Sequence, residues 1–347
     1  MDTTTSTPRA GPCAGTALLR AEPADFRVDE RIEMAPEPAG EHLWLRVRKT
    51  GENTDHVARL LARIAGVDGR AMGFAGRKDR HAVTTQWFSM QLPGKPDPDL
   101  SALPPSVEVL ESVRRQRKLQ TGGLRGNDFV LRLRAFEGDA GLLEQRLAEI
   151  RLYGVPNYFG VQRFGREAGN VERARSMFAG ALRVCDRSER SMLLSSARSA
   201  VFNAVLARRV AEGSWAQLMA GEAVQLDGSG SWFLDDGSDA TLPERLASGD
   251  IHPSGPLWGA GEPASQGAAR DLEVEVAAQH ADLAQGLEAN GLRQERRPLR
   301  LLPQHLAWSW LDATSIELRF GLPAGCYATT LLAEVLDTRE PERGAPG

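Results

Sequence analysis

A chain of 347 residues, 41% of them hydrophobic, is long enough for one large core or two without covalent staples, and length favours two domains. Its three cysteines, Cys13, Cys185 and Cys326, are isolated and form no CxxC pair, which argues against a disulfide scaffold or a zinc ribbon and suits a reducing cytoplasm. The net charge of -4 argues against broad, nonspecific binding to a polyanion; the first fifteen residues lack a signal-peptide pattern and no apolar run approaches membrane-spanning length, so a cytoplasmic protein without membrane contact is expected.

In chain order, His42 to Lys49 alternates Leu43, Leu45 and Val47 against polar neighbours, the period of a half-buried strand. A helix follows, capped by Asn53 or Thr54, with Val57, Leu60, Leu61 and Ile64 as its apolar stripe and Gly66 as its stop. Strands are predicted over Gln86 to Leu92, Val107 to Val113 and Phe129 to Arg134, where Phe129, Leu131 and Leu133 share a face. The prolines of Gly94 to Pro105 mark a loop. Leu142 to Ile150 reads as a helix, as do Glu172 to Met177 and Ser191 to Val210, the last with Val201, Phe202, Val205 and Leu206 inward. Turn-rich sequence is expected from there to about Gly267, and the tail returns to strand at Ile316 to Phe320 and helix at Ala328 to Val335. No repeat of fixed period is present. Strands mixed with helices without a regular βαβ rhythm predict an α+β fold with a more helical second part.

Charge is uneven. Between Ser112 and Arg134 seven cations (Arg114, Arg115, Arg117, Lys118, Arg125, Arg132 and Arg134) face one acid, Asp128, and Gly122, Gly123 and Gly126 lie among them. Glycines allow close backbone approach to a phosphate and arginines neutralise it, so this window reads as an RNA-backbone contact; its plain alternative is a solvated hairpin. A second cluster, Arg293, Arg296, Arg297 and Arg300, points the same way. Only four of the 42 cations are lysines, at 49, 78, 95 and 118, a bias read as compositional.

One carboxylate, Asp79, stands among Arg77, Lys78 and Arg80 after a glycine turn. A surface cap or ion pair is the plain reading; a carboxylate held among cations also suits a nucleophile or base. A phosphate loop does not fit, because an acid stands where a magnesium-binding hydroxyl belongs and the glycine spacing is wrong. Gly228 to Phe233 lacks the third glycine of a dinucleotide fingerprint. The six histidines form no HxH or HExxH pair, so no metal site is expected. In Asn157 to Gly165, core packing accounts for Tyr158 and Phe164, whereas Asn157 and Phe159 could read and stack an extruded base.

Six blocks carry a resemblance: Glu22-Pro-Ala-Asp-Phe-Arg-Val-Asp-Glu30, Gly76-Arg-Lys-Asp-Arg-His-Ala-Val-Thr-Thr-Gln86, Arg117-Lys-Leu with Gly126-Asn, Asn157-Tyr-Phe-Gly-Val-Gln-Arg-Phe-Gly165, His252-Pro-Ser-Gly-Pro-Leu257 and Leu322-Pro-Ala-Gly-Cys-Tyr-Ala-Thr329. In this order, along nearly the whole chain, they resemble the TruD family of tRNA pseudouridine synthases. The resemblance implies a pseudouridine synthase catalytic domain with a mixed, largely antiparallel sheet, at 1–169 and 304–347, interrupted by a TruD-type insertion domain at 170–303. It implies that Asp79 is the catalytic aspartate and that Phe26, Asn157 and Tyr327 bind substrate, Tyr327 standing where the family pattern has phenylalanine. Phe159, Lys78, Arg20 and Gln86 complete the expected substrate set, Arg20 standing where lysine is expected. Arg114, Arg115, Arg117, Lys118 and Arg125 are the expected RNA-backbone contacts. The implied activity is isomerisation of uridine to pseudouridine at position 13 in the D-arm of tRNA, by a monomer needing no cofactor or metal. The competing class is a catalytically inert tRNA-binding protein or RNA chaperone on the same fold, and Asp79 discriminates between them.

Overall fold

The computed structural model describes residues 7–35, 37–120, 122–165 and 168–341; the reading of residues 1–6 as free of a signal-peptide pattern lies outside them. The chain begins with β1 (Gly15–Leu19), β2 (Phe26–Arg31), β3 (His42–Thr50), α1 (Thr54–Ile64), β4 (Met72–Phe74), β5 (Val83–Gln91), β6 (Val107–Arg115) and β7 (Gly126–Gly138). There follow α2 (Ala140–Tyr153), β8 (Val155–Pro156), α3 (Gly169–Phe178), α4 (Arg187–Ala211), β9 (Ala223–Leu226), β10 (Trp232–Leu234), α5 (Leu242–Ser248), β11 (Ile251–Leu257), α6 (Gly267–Gln279), α7 (Ala281–Ala289), β12 (Glu295–Pro298) and β13 (Arg300–Leu301). Then come β14 (Gln304–Trp310), β15 (Ile316–Pro323), α8 (Ala328–Ala333) and β16 (Leu336–Arg339). Contacts divide these elements into two compact units: a sheet unit of Gly15–Asp139, Pro303–Gly325 and the stretch from Leu336, and a helical unit of Ala140–Leu302, Cys326–Val335 and the stretch up to Ala14.

The sheet unit holds one ten-stranded sheet in the order β14-β15-β7-β2-β5-β3-β6, with β1 between β7 and β16 and with β4 on β5. Pairing is antiparallel except for β1 with β16 and β2 with β5, so the predicted α+β class and mixed sheet are what the chain forms. Alternation along β7 sets the register. Phe129, Leu131 and Leu133 are buried and meet Phe320, Leu318 and Ile316 of β15. On the other side of β7, Val28 and Phe26 of β2 face Phe129 and Leu131. The rings of Phe129 and Phe320 stack with centroids 5.4 Å apart, and Phe26 meets Phe129 edge-on at 6.3 Å. A slip of one residue would turn this whole ladder to the opposite face, so the apolar pattern fixes where Phe26 stands.

Helix α1 forms where expected and lays Val57, Leu60 and Leu61 on Leu43, Leu45 and Val47 of β3 and on Phe88 and Met90 of β5. Asn53 occupies the cap position without a side-chain bond. The Thr54 hydroxyl is used elsewhere, as shown below.

The helical unit is built around α4, whose Asp186 cap accepts the Glu189 N–H at 2.7 Å. Leu193, Ala197 and Val201 pack with α3 and α7, Phe202 and Leu206 with Tyr158, Phe159 and Leu299, and Val205 with Leu272 and Val276. The stretch expected to be turn-rich instead carries β9, β10, α5 and β11, in a four-stranded sheet ordered β10-β9-β11-β12. Two features hide it. β11 contains Pro253 and Pro256 and is buried along nearly its whole length, so it shows no polar alternation. It pairs with β9 over Ile251–Pro253 and with β12 over Ser254–Leu257, so its ladder changes partner midway.

Truncating the middle of the β7 ladder by Leu131→Ala should lower the unfolding free energy by about 2–5 kcal/mol, because a wholly buried leucine leaves a cavity between β2 and β15. Urea denaturation reads this as a lower midpoint at unchanged slope; a loss below about 1 kcal/mol would contradict the register.

Candidate active site

In the sheet unit, Asp79 lies in the loop between β4 and β5. Its Oδ2 meets the Arg20 guanidinium at 2.7 Å; the Asp79 side chain is 37% exposed and that of Arg20 6%. Oδ1 faces the His81 N–H at 3.4 Å. One carboxylate oxygen is therefore held by a buried cation while the group stays open to an incoming molecule.

Arg20 is itself specially placed. It directly follows β1 with φ 57°, a left-handed backbone that a residue with a Cβ adopts only under strain. Its guanidinium also pairs with Glu340 and covers the Phe26 ring at 3.9 Å from the centroid. Phe26 is thus buried between Arg20 and Phe129 rather than presented as an open stacking face. The turn Pro23–Asp25 before it is fixed by Arg134, which donates at 2.9 and 2.8 Å to the two oxygens of buried Asp25. That contact takes one cation of the basic window inward.

The loop carrying Asp79 is held from beneath. The Lys78 N–H donates to Thr54 Oγ1 at 2.9 Å, Thr54 Oγ1 donates to Gln86 Oε1 at 2.8 Å, and Gln86 Nε2 donates to the Gly76 carbonyl at 3.1 Å. The Lys78 ammonium turns inward to Glu30 Oε1 at 3.1 Å and Asn127 Oδ1 at 2.8 Å, and Glu30 Oε2 accepts the Trp87 N–H at 2.9 Å. Lys78 and Gln86, expected as substrate contacts, are found in the framework of the loop, because their polar ends are consumed by protein partners. Lys49 adds a further brace: its ammonium donates to the carbonyls of Glu52 at 2.7 Å and Asp79 at 3.0 Å.

The remaining candidates lie in the helical unit. Asn157 on the loop after β8 donates from Nδ2 to the Pro298 carbonyl at 2.9 Å and accepts at Oδ1 from Arg297 at 2.7 Å and from Cys326 Sγ at 3.6 Å, so its oxygen is engaged while its NH2 group has a second hydrogen to give. Phe159 is clamped by Asn203, which accepts its N–H and donates to its carbonyl, both at 2.9 Å. Arg297 lies over the Phe159 ring at 4.2 Å and Arg163 at 5.4 Å. Tyr327 stands half-buried at the start of α8 and packs near Gly160. Burial pushes the Arg297 guanidinium below its ordinary range, against the raising influence of Cys326 and Tyr327.

The basic window is mostly engaged. Arg114 pairs with Asp97, Arg115 with Glu37 and Arg125 with Glu33, while Lys118 donates to the Arg70 carbonyl at 2.6 Å. The Arg125–Glu33 pair is exposed on both sides and therefore weak, and Arg117 is exposed. The second cluster needs correction. Arg296 is buried in a bidentate pair with Glu273, and Arg300 is buried against His252 and the carbonyls of Leu246 and Ile251, so neither faces a nucleic acid. Among the described residues no group of three or more histidine, cysteine or acidic side chains could hold a metal ion, and no helix is long and apolar enough to cross a membrane.

Sequence reading gave no site role to Lys49, Thr54, Glu30, Asn127 or Glu340. For Lys49 a cue existed: it continues the series Leu43, Leu45, Val47 at the same phase of β3, so a charge falls on the buried face. Glu340 lies 320 residues from its partner Arg20, and no local pattern links them.

A family model described as tRNA pseudouridine synthase D (TruD) matches residues 9–174 and 169–335. A tRNA pseudouridine synthase D of Hydrogenovibrio crunogenus is 46% identical over 325 residues, covering 93% of this chain and 94% of its own. One of Xanthomonas campestris pv. campestris is 49% identical over 354 residues, covering 98% and 96%. A crystal structure from Methanosarcina mazei, assigned to tRNA pseudouridine synthase D, matches with a TM-score of 0.72 at 21% identity and 95% coverage of each chain, a likeness of fold.

Burial pushes the Lys49 amine down to about 8 from 10.5, against the raising influence of Asp79 and Glu52. Between those values the unfolded chain binds the extra proton, so Lys49 makes stability rise with pH across that window. The unfolding free energy of the wild type relative to Lys49→Met should therefore grow by on the order of 3 kcal/mol from about pH 7 to pH 10.5. Denaturant melts of both proteins across this range test it, and a flat difference would mean that the amine keeps its hydration.

Proposed function

The chain belongs to the tRNA pseudouridine synthase D family, whose members are isomerases, and from that premise we propose that it converts uridine 13 in the D-arm of tRNA to pseudouridine with Asp79 as the group that acts on the ribose. The observation that carries the reading is the state of Asp79: one oxygen on the buried Arg20 at 2.7 Å, a side chain more than a third exposed, and a loop braced from three strands.

The reaction breaks the bond from N1 to C1′, turns the uracil, and joins C5 to C1′; N1 gains the proton that C5 loses, so no electron carrier enters the balance. A carboxylate serves it in either of two ways, by attacking C1′ or by removing the proton at C2′ to give a glycal-like intermediate. Both need the same thing of Asp79, an ionised oxygen aimed at the sugar, and the Arg20 guanidinium supplies the aim through Oδ2. A target inside a folded RNA has to be extruded before it can reach Asp79. The exposed Arg117 and the weakly paired Arg125 are the proposed phosphate contacts.

On this reading residues 170–303 are the family insertion and the rest forms the catalytic domain, residues 140–169 and 326–335 packing with the insertion in one compact unit. A monomer working in the cytoplasm completes the proposal.

Purified wild type and Asp79→Asn, given the same unmodified tRNA transcript, should differ by about 1000-fold or more in the rate of pseudouridine formation, with tRNA affinity within about threefold. Carbodiimide mapping by primer extension should place the product at position 13. A wild type that binds tRNA and never forms pseudouridine would favour the inert RNA-binding class; product at another position would remove the assigned target while leaving the chemistry.

A further inference from the structure

Lys49 occupies a place in β3 where the fold alone calls for an apolar side chain. Leu43, Leu45, Val47 and Lys49 alternate onto one face and all are buried, Lys49 wholly so. Its neighbours in register are Thr84 of β5 and Val107 of β6. An ammonium here gives up its hydration and gains carbonyl acceptors from Glu52 and Asp79. A methionine of similar length would fill the same space with no charge to desolvate, and such replacements of buried charges are often neutral or stabilising.

The partners point to another reason for the ammonium. The turn after β3 and the loop before β5 are joined where the Gly51 N–H donates to the Ala82 carbonyl and Arg80 Nε donates to the Gly51 carbonyl, both at 3.3 Å. Those bonds fix the chain beyond Asp79. The Lys49 bond falls on the carbonyl of Asp79 itself, so it restrains the peptide from which the carboxylate projects. Arg20 restrains the other end of the same residue. A carboxylate gripped at both its peptide and one oxygen retains little freedom to swing, and displacement of a reacting group by about 1 Å can cost about 100-fold in rate.

We propose that Lys49 is a positioning residue for the isomerisation: by tying the Asp79 carbonyl to the turn at Gly51 and Glu52, it sets the direction of the Asp79 carboxylate toward the ribose. This rests on Asp79 being the group that acts on the ribose. Lys49 touches no substrate atom on this account and acts only through Asp79.

The test measures single-turnover pseudouridine formation, tRNA affinity and melting temperature at pH 7 on four full-length variants: Lys49→Met, Lys49→Gln, Leu60→Ala and Asp79→Asn. Lys49→Met should melt within a few degrees of wild type, bind tRNA within about twofold, and react at least about tenfold more slowly. Leu60→Ala loosens the core between α1 and β3 without touching the turn, and should melt lower while reacting at the wild-type rate below its melting temperature. A wild-type rate in folded Lys49→Met overturns the proposal, as does an equal slowing in Leu60→Ala, which would make the effect one of general loosening. If Lys49→Met does not fold, Lys49→Gln decides: its shorter amide cannot span both carbonyls, the same slowing is expected, and a wild-type rate again overturns the proposal. An Asp79→Asn protein that still forms pseudouridine would instead remove the premise about Asp79, and the two failures are thereby told apart.

Discussion

The buried ion pair between Lys78 and Glu30 decides where the loop bearing Asp79 lies. Their side chains are 7% and 0% exposed, so the pair has lost nearly all its water and survives because its other polar atoms are also bonded, Glu30 to the Trp87 N–H and Lys78 to Asn127. Glu30 comes from β2, Trp87 from β5 and Asn127 from β7, which are consecutive in the sheet apart from their order along the chain. The pair therefore reports the register of three strands and transmits it to one loop. A one-residue slip of β2 or β7 would turn Glu30 or Asn127 to the opposite face and leave the others buried with unmet polar groups.

This arrangement explains why neighbouring residues of one short segment do different work. Arg77 pairs outward with Asp55 at 2.9 Å, Lys78 turns down into the sheet, and Asp79 comes up again to Arg20. The cations next to Asp79 in sequence are not its partners in space. The cation that does hold its carboxylate sits directly after β1, 59 positions earlier by the numbering of Arg20 and Asp79, in a strained backbone conformation.

Much of the sheet unit was legible in the sequence because β7 and the second half of β3 alternate buried and open positions, and because α1 carries a clear apolar stripe. The strand β11 was not, since burial on both faces erases alternation and Pro253 and Pro256 argue for a turn. The place of Asp79 in a loop after a glycine turn was legible, while the partners around it were not. Arg296 and Arg300 read as a nucleic-acid surface because their partners, Glu273 and His252, are 23 and 48 residues away, beyond any local pattern. Charge in a sequence does not say whether it is already paired; only the fold brings the acid to the base. Asn157 and Phe159 were legible as a noteworthy pair, but their engagement with Arg297, Pro298 and Asn203 depends on strands and a helix far along the chain.

All but four of the 42 cations are arginines, and two of the four lysines, Lys49 and Lys78, have their ammonium groups enclosed in the sheet unit. An exposed guanidinium stays protonated across the alkaline range in which a lysine amine gives up its proton. The outward electropositive potential of this molecule is consequently almost insensitive to alkalinity, and any attraction it exerts on an anion should respond to ionic strength but scarcely to a rise in hydroxide. Amine-directed coupling chemistry, for the same reason, has very few places on the surface at which to attach.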